Sequence, residues 1–238
     1  MQHLRFKLLS SLLCCSATAA ALAADTAGGS LSVTNDYVYR GVSLSQGDAA
    51  VQASAYARPL SGVTIGAWGS TLSNERRPWA HYELDLFASK SWSLDETWST
   101  RLSLTHIAYL QSRAGSQFDH DEVAATLSFR DRINASLVWI PNLPTYEQNQ
   151  IGHHSAQAYE ITGTQPVLGV WSLYAGVGYY DLRTTYPQSY WYWNTGVAFS
   201  WQSLQLDVQH IDTDANAATL FGPQSTGSRW VASVNWHF

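Results

Sequence analysis

Ten charged residues in this sequence alternate with apolar neighbours, and their types define the chemistry that the chain could perform. Successive side chains of a β-strand point to opposite faces, so these charges are expected on the face opposite the apolar one. The ten are Asp36, Arg40, Arg58, Glu83, Asp85, Arg101, Glu122, Arg130, Asp207 and Arg229. Five acidic and five basic side chains around one enclosed space could line a channel for small polar solutes or ions. They could also form an internal salt-bridge ladder, and the sequence leaves both interpretations open.

Catalysis and metal binding need residues that the sequence supplies only in part. A nucleophilic serine needs a histidine base and an orienting polar group, and no recognisable nucleophile motif surrounds the serines on the charged face. Those serines are Ser103, Ser128 and Ser233. His153 and His154 are adjacent, but a third ligand at a suitable spacing is missing. We therefore expect no catalytic residue, no metal site and no cofactor.

The first 23 residues have the pattern of a secretory signal peptide. Two basic residues precede an apolar run, and Ala21 and Ala23 fit a small-residue cleavage site. We predict that residues 1–23 are removed and that residues 24–238 form one domain. Both cysteines fall within the removed segment, so disulfide and thiol chemistry are not expected.

The composition of the remaining chain excludes some classes of protein. Removing two basic residues leaves 13 − 2 = 11 basic and 18 acidic residues, a net charge of −7 with no basic cluster, which argues against nucleic-acid binding. The chain holds 11 Trp and 13 Tyr but only 13% charged residues, which indicates an apolar environment. After the signal segment, no run of about 18 apolar residues could form a transmembrane helix.

Period-two alternation recurs along the whole chain, as in YELDLF, and no segment keeps a helical period. We therefore predict strands and no helix. The twelve predicted strands lie near residues 31–40, 49–58, 63–72, 81–92, 97–111, 121–130, 133–140, 155–163, 170–182, 190–201, 203–212 and 228–238. Long and short connections alternate between them, and residues 141–154 form the longest predicted loop. This pattern predicts an all-β, up-and-down antiparallel β-barrel.

Aromatic residues near the predicted strand ends indicate that the barrel crosses a membrane. They are Tyr37, Tyr39, Trp68, Trp92, Trp98, Trp139, Trp171, Trp191, Trp201, Trp230 and Trp236. Outer-membrane barrels carry such aromatic girdles around an apolar outer band. The expected partners are therefore outer-membrane lipid, the outer-membrane insertion machinery and small solutes. A soluble β-sandwich would have to bury all of this alternation between two sheets.

The last strand carries a candidate signal for that insertion machinery. Large apolar residues stand at alternate positions up to a terminal Phe, as in the C-terminal β-signal of outer-membrane proteins. The residues are Trp230, Val234, Trp236 and Phe238.

Asp36 and Arg40 lie four residues apart on the predicted first strand. That spacing is about 13 Å along a strand, too far for a direct pair, so each is expected to meet charges on neighbouring strands. Gly41 follows Arg40 where the strand gives way to its loop, and its permissive dihedral angles help the chain to turn. We predict a structural role for this motif.

The segment SVTNDYVYRGVSLSQGDAAVQASAYA, residues 32–57, resembles the opening of the TorF family of porins, also called the Gcw_chp family of proteobacterial proteins. The matching residues are Asp36, Tyr37, Tyr39, Arg40, Gly41, Ser43, Ser45, Gly47, Ala50 and Gln52. Three later segments, YELDLF, AYEITGTQPVLGVWSLYAGVGYYDL and YWNTGVAFSWQSLQLDVQHIDTD, continue the resemblance over most of the chain. It implies an outer-membrane barrel with pore activity and supplies neither a substrate nor catalytic residues.

The sequence thus favours a bacterial outer-membrane channel for passive diffusion of small polar or charged solutes. Two other functions stay open. One is a structural or surface-binding barrel without an open pore, and the other is an outer-membrane lipid-modifying enzyme.

Overall fold

Twelve antiparallel strands close into a barrel in the computed structural model, which describes residues 26–72, 80–112, 115–147, 150–184 and 186–238. The predicted signal segment lies outside these residues. Each barrel strand pairs with its neighbours along the chain, and β1 pairs with β14 to close the barrel. Two short strands, β2 and β3, pair only with each other. The strands are β1 (Ala27–Thr34), β2 (Val38–Tyr39), β3 (Val42–Ser43), β4 (Ala50–Leu60), β5 (Val63–Thr71), β6 (Tyr82–Ser93), β7 (Trp98–Leu110), β8 (His120–Phe129), β9 (Ile133–Glu147), β10 (Gln150–Leu168), β11 (Trp171–Asp181), β12 (Tyr190–Trp201), β13 (Leu204–Thr213) and β14 (Arg229–His237).

The connections follow the predicted alternation except between β9 and β10, where Glu147 already pairs with Gln150. Five tight turns, 61–62, 94–97, 130–132, 169–170 and 202–203, lie at one end, which we call the tight-turn end. The opposite, long-loop end carries segments such as 35–49 and 214–228.

The prediction of a long loop at 141–154 is wrong, because most of that segment continues strands β9 and β10. The two strands stay in register up to the pair Glu147 and Gln150, with a bulge between His154 and Ala156. Pro144 pairs with His153 within this hairpin, since proline's fixed φ is compatible with an extended strand. His153 and His154 therefore lie on a strand, where adjacent side chains point to opposite faces. No group of three or more potential metal-ligating side chains occurs among the described residues.

The prediction of no helix is also wrong, since α1 spans Ala215–Phe221 in the last long connection. Asp214 caps it by accepting from the backbone N–H groups of Asn216 and Ala217 at 3.1 and 3.3 Å. A helix of seven residues is too short to show a clear apolar period in the sequence. A 3₁₀ helix at Gly115–Phe118 is shorter still. Within the described part of the chain, no helix is long and apolar enough to cross a membrane.

The outer face of the barrel is apolar between two rings of aromatic side chains. Exposed leucine, isoleucine and valine side chains fill the band, among them Leu104, Ile161 and Val208. At the tight-turn end, ring pairs lie 4.9 to 5.2 Å apart between centroids: Trp98 with Phe129, Trp171 with Phe199, and Trp236 with Phe238. Tyr179 and Trp191 form a similar pair, at 4.9 Å, near the long-loop end.

Three aromatic residues assigned to these girdles lie inside the barrel instead. Tyr37 and Tyr39 belong to the first long connection, which folds inward, and Trp68 faces inward from β5 with its ring 5.4 Å from that of Tyr37. The sequence does not show that the first connection turns inward, whereas Trp68 shares the inner face of β5 with Thr64 and Ser70.

The tight turns are fixed by local geometry. Arg130 and Asp131 have φ values of 51° and 52°, and Arg132 N–H donates to Phe129 O at 3.0 Å, which is a two-residue hairpin turn. The prediction that Arg130 faces the lumen is therefore wrong, since it is exposed in this turn. In the turn at 94–97, the pKa of Asp95 is lowered because the Thr97 N–H, the Thr97 hydroxyl and the Trp98 N–H donate to its carboxylate.

Candidate functional site

The first long connection, residues 35–49, folds into the barrel, and we call it the lumen loop. Its strands β2 and β3 form a hairpin whose two turn residues are Arg40 and Gly41. Their φ values are 47° and 79°, so both occupy the left-handed region that this kind of tight hairpin requires. Arginine is rarely found there, and such a conformation persists only where surrounding contacts stabilise it. The tip of the hairpin therefore depends on what the arginine side chain contacts.

Asp36 holds the base of the lumen loop together. Its Oδ1 accepts from the hydroxyls of Ser43 and Ser45 at 2.5 and 2.9 Å and from the Gly47 N–H at 3.3 Å. Its Oδ2 pairs with Arg229 Nη1 of β14 at 2.8 Å. Asp36 thus closes the loop on itself and ties it to the barrel wall.

Arg40 connects the tip of the loop to the opposite wall of the barrel. Its Nη1 and Nη2 donate to the two carboxylate oxygens of Glu122 in β8 at 2.8 and 3.0 Å, a bidentate pair. Its Nε lies 3.7 Å from Glu160 Oε1 in β10. The guanidinium also lies 4.6 and 4.9 Å from the ring centroids of Tyr39 and Tyr180. The Arg40 side chain is 1% exposed, so these contacts replace almost all of its contact with water.

Tyrosine hydroxyls satisfy the carboxylates around the loop. Tyr39 donates to Glu122 Oε1 at 2.6 Å, and Tyr37 donates to Glu83 Oε1 in β6 at 2.9 Å. Tyr192 of β12 donates to Glu160. The acidic residues of this half of the lumen therefore sit in a network of phenol groups, with the loop as its centre.

Gly41 lets the loop tip approach the wall closely. A Cβ at this position would lie 2.4 Å from Thr213 Cγ2 and 2.8 Å from Tyr192 Cβ. Both the positive φ and the lack of space for a Cβ therefore favour glycine at this position. The tip also receives a hydrogen bond at 3.0 Å from the Tyr190 hydroxyl to Arg40 O. The lumen loop thus contacts walls from β6 through β14 and narrows the barrel at the long-loop end.

The structure brings five of the ten predicted charges together around this loop: Asp36, Arg40, Glu83, Glu122 and Arg229. Asp36 and Arg40 lie on the loop and not on the first strand, which ends at Thr34; they do not pair with each other, and each meets charges on other strands. Asp85 faces inward beside Glu83 in β6 and is buried.

Sequence reasoning missed Glu160 and the tyrosines that surround Arg40. The signal for Glu160 was present, because Ala158, Glu160 and Thr162 alternate with outward Tyr159 and Ile161 in β10. The tyrosines gave no such signal, since an inward tyrosine and a girdle tyrosine have the same sequence pattern.

The three remaining lumen charges lie nearer the tight-turn end. Arg58 in β4 and Arg101 in β7 face the lumen and are half-buried. Asp207 faces inward from β13 and accepts a hydrogen bond from the Tyr174 hydroxyl of β11. The lumen therefore has a paired half around the lumen loop and a half in which these charges form no ion pair within the described residues.

Two of the predicted inward serines form hydrogen bonds with asparagine side chains of the lumen wall. Ser128 Oγ donates to Asn134 Oδ1 at 2.6 Å, and Asn235 Nδ2 donates to Ser233 Oγ at 3.1 Å. A serine–histidine hydrogen bond of 2.7 Å joins Ser228 to His210, but it lies on the outer face beside Trp230. His106 also faces outward and contacts Asp121 at 2.8 Å.

The closed barrel, apolar outside and polar inside, is a porin-like barrel, and solved structures share its fold. A NanC porin in a rhombohedral crystal form superposes with a TM-score of 0.60 and 8% identity, over 87% of this chain and 97% of that chain. A KdgM porin gives 0.55 and 9%, over 89% and 99%. A KdgM porin in complex with disordered oligogalacturonate gives 0.53 and 8%, over the same shares of the two chains. These identities establish the fold alone.

The chain belongs to the Gcw_chp family, described as a bacterial protein of unknown function, whose family model matches residues 18–238. The resemblance seen at the lumen-loop motif is thereby confirmed. No curated protein matches the sequence.

Proposed function

We propose that this protein is an outer-membrane channel for passive diffusion of small polar or charged solutes. The observation that carries the proposal is a closed barrel of twelve strands whose outer face is apolar and whose lumen holds charged and hydroxyl side chains. An apolar exterior is stable in lipid, where every backbone group must be hydrogen-bonded within the barrel. Charged and hydroxyl side chains facing the lumen would suit the passage of polar solutes.

The similar barrels support the same function. The KdgM and NanC structures are porins of matching length, and one KdgM porin was solved with oligogalacturonate. By this analogy the chain ends and tight turns face the periplasm and the long loops face outward. Trp230, Val234 and Trp236 lie on the outer face of β14, and the exposed Phe238 follows that strand, so all four are available to the insertion machinery.

The lumen loop sets the width of the proposed pore. It crosses the lumen at the long-loop end, so solutes pass between the loop and the wall or move when the loop shifts. We expect a smaller conductance than an unobstructed barrel of twelve strands would give.

The test is single-channel recording of the refolded protein in a planar lipid bilayer, with the reversal potential measured in a salt gradient. Discrete conductance steps would support a pore, and the reversal potential would give the sign of its ion selectivity. A correctly folded barrel that produces no steps at any voltage would contradict the proposal.

The docked lumen loop also favours a second candidate, a barrel without an open pore. In that case the network around Arg40 is a rigid plug, and the long-loop end serves as a binding surface. A silent barrel whose loop stays protected from amide hydrogen exchange would favour this function over the channel.

A further inference from the structure

Two arginines face the lumen near the tight-turn end without a carboxylate partner. Neither Arg58 nor Arg101 forms an ion pair within 4.0 Å in the described part of the chain. Arg58 Nε is buried and has no hydrogen-bond partner, and its guanidinium lies 4.8 Å from the Tyr56 ring centroid. Arg101 Nε donates to Ser91 Oγ at 3.1 Å. Most of the donors on these two groups are therefore available to a ligand.

Arg58 and Arg101 both lie close to one row of paired residues, Ala57, Ile65, Ala88 and Leu104, so their side chains face the same part of the lumen. Within the described residues, no carboxylate lies within ion-pair distance of either guanidinium. By contrast, Arg40 and Arg229 in the other half of the lumen are both paired with carboxylates. Placing two like charges together inside a barrel costs free energy, and a bound anion would offset that cost.

The wall between the two arginines is lined by hydroxyl groups. Strands β5 and β6 separate β4 from β7, and their register places Thr64 beside Ser89 and Ser89 beside Ser103. All three side chains lie on the inner face by the alternation of their strands. Hydroxyls donate and accept hydrogen bonds, so this wall suits a solute that carries hydroxyl groups of its own.

We propose that Arg58 and Arg101 form a binding subsite for the carboxylate of a hydroxyl-rich organic anion, such as a sugar acid. Guanidinium groups bind carboxylates in a bidentate geometry that fixes the orientation of the solute. The inference rests on the proposed function, because solutes must be able to enter the lumen. It adds to that function a preferred class of solute and the site in the lumen where the solute binds.

The test compares glucuronate with glucose, which differ by the carboxylate, using saturation-transfer NMR on the protein folded in detergent micelles. The native protein should give a glucuronate signal and little glucose signal. The double variant R58Q/R101Q should weaken glucuronate binding by about tenfold, since each charge-assisted hydrogen bond is lost. Equal glucuronate signals in both proteins, or equal signals from the two sugars in the native protein, would overturn the subsite.

The matched control is R130Q/R132Q. Both residues are exposed in the turn at the same end of the barrel, so this variant removes the same charge without changing the inner wall. It should keep the native glucuronate signal, and a loss as large as that of R58Q/R101Q would indicate a general charge effect instead of a site.

A second variant, R58K/R101K, keeps both charges and loses the bidentate geometry. It should fold even if the glutamine variant does not, and its glucuronate binding should weaken by a few-fold. Unchanged binding would contradict the bidentate site. Because binding is read without current, a barrel that binds glucuronate but never conducts would contradict the channel and leave the subsite standing.

Discussion

At the residue scale, Arg40 explains why the lumen loop stays inside the barrel. Its guanidinium forms ion pairs with both Glu122 and Glu160, and two tyrosine rings cover it. Breaking a buried ion pair by removing one partner leaves a buried charge uncompensated, which costs about 3–5 kcal/mol. Removing Arg40 should therefore disturb loop docking more than removing one partner of a surface pair would.

Replacing Arg40 with glutamine should release the loop. In R40Q, the repulsion among Glu83, Glu122 and Glu160 is no longer offset, so we expect faster amide hydrogen exchange in residues 36–47 and larger single-channel conductance. Exchange measured by mass spectrometry on the folded barrel provides the check.

The control for that variant is R183Q. The Arg183–Asp181 pair spans 2.6 Å, but its arginine side chain is 69% exposed, and exposed pairs contribute about 0–1 kcal/mol. R183Q should leave the exchange of the lumen loop unchanged. If R40Q also leaves it unchanged, the ion pairs of Arg40 do not hold the loop.

At the element scale, the hairpin of β2 and β3 depends on a glycine that touches the wall. G41A should undock the loop, because alanine at a φ of 79° is strained by about 1–2 kcal/mol and its Cβ would lie 2.4 Å from Thr213 Cγ2. A cysteine at Val42, which packs in the interior cluster, should then react faster with a maleimide.

Gly47 offers a matched comparison within the same loop. Its φ is 83°, but a Cβ there would meet nothing within 4 Å, so G47A adds the backbone strain without the clash. We expect the Val42 cysteine to react more slowly in G47A than in G41A. Equal rates in the two variants would show that backbone strain alone, and not contact with the wall, positions the hairpin.

The barrel strands were predictable because alternation is a local property of each strand. All twelve appear near their predicted positions, while two-residue strands and a seven-residue helix are too short to leave a period. The sequence predicts that the first strand continues to residue 40, since Asp36 and Arg40 alternate with Tyr37 and Tyr39 after the strand has ended at Thr34.

The candidate site was less predictable, since its contacts join residues far apart in sequence. Arg40 and Glu122 are 82 positions apart, and Asp36 and Arg229 are 193 apart. Alternation identified most of these charges as inward, but it could not indicate that a loop would bring them together. The structure explains the D-Y-x-x-R-G-x-S-x-S-x-G pattern. Its aspartate, Asp36, accepts hydrogen bonds from the two serines, and its R-G pair forms the tip of the hairpin.

At the scale of the whole molecule, the two interpretations of the lumen charges apply to different halves of the barrel. Around the lumen loop the charges form an internal network, as a salt-bridge ladder would. Near the tight-turn end, Arg58 and Arg101 have no carboxylate partner among the described residues, which suits a solute-binding lining. A loop network that sets the width of the pore and a separate subsite that selects solutes are therefore compatible in one barrel.

The outer band gives a prediction that depends on the membrane itself. Leu104 faces outward in the middle of β7, six positions from Trp98 at one end and six from Leu110 at the other. In lipid vesicles, L104R should lower the free energy of unfolding by about 2–4 kcal/mol, because the charge must enter the centre of the bilayer. L110R, on the same face of the same strand, should cost only about 0–1 kcal/mol near the interface. Guanidinium titration followed by tryptophan fluorescence measures both values. Equal losses in L104R and L110R would mean that this face does not contact hydrocarbon, and the barrel would then have to bury it against protein.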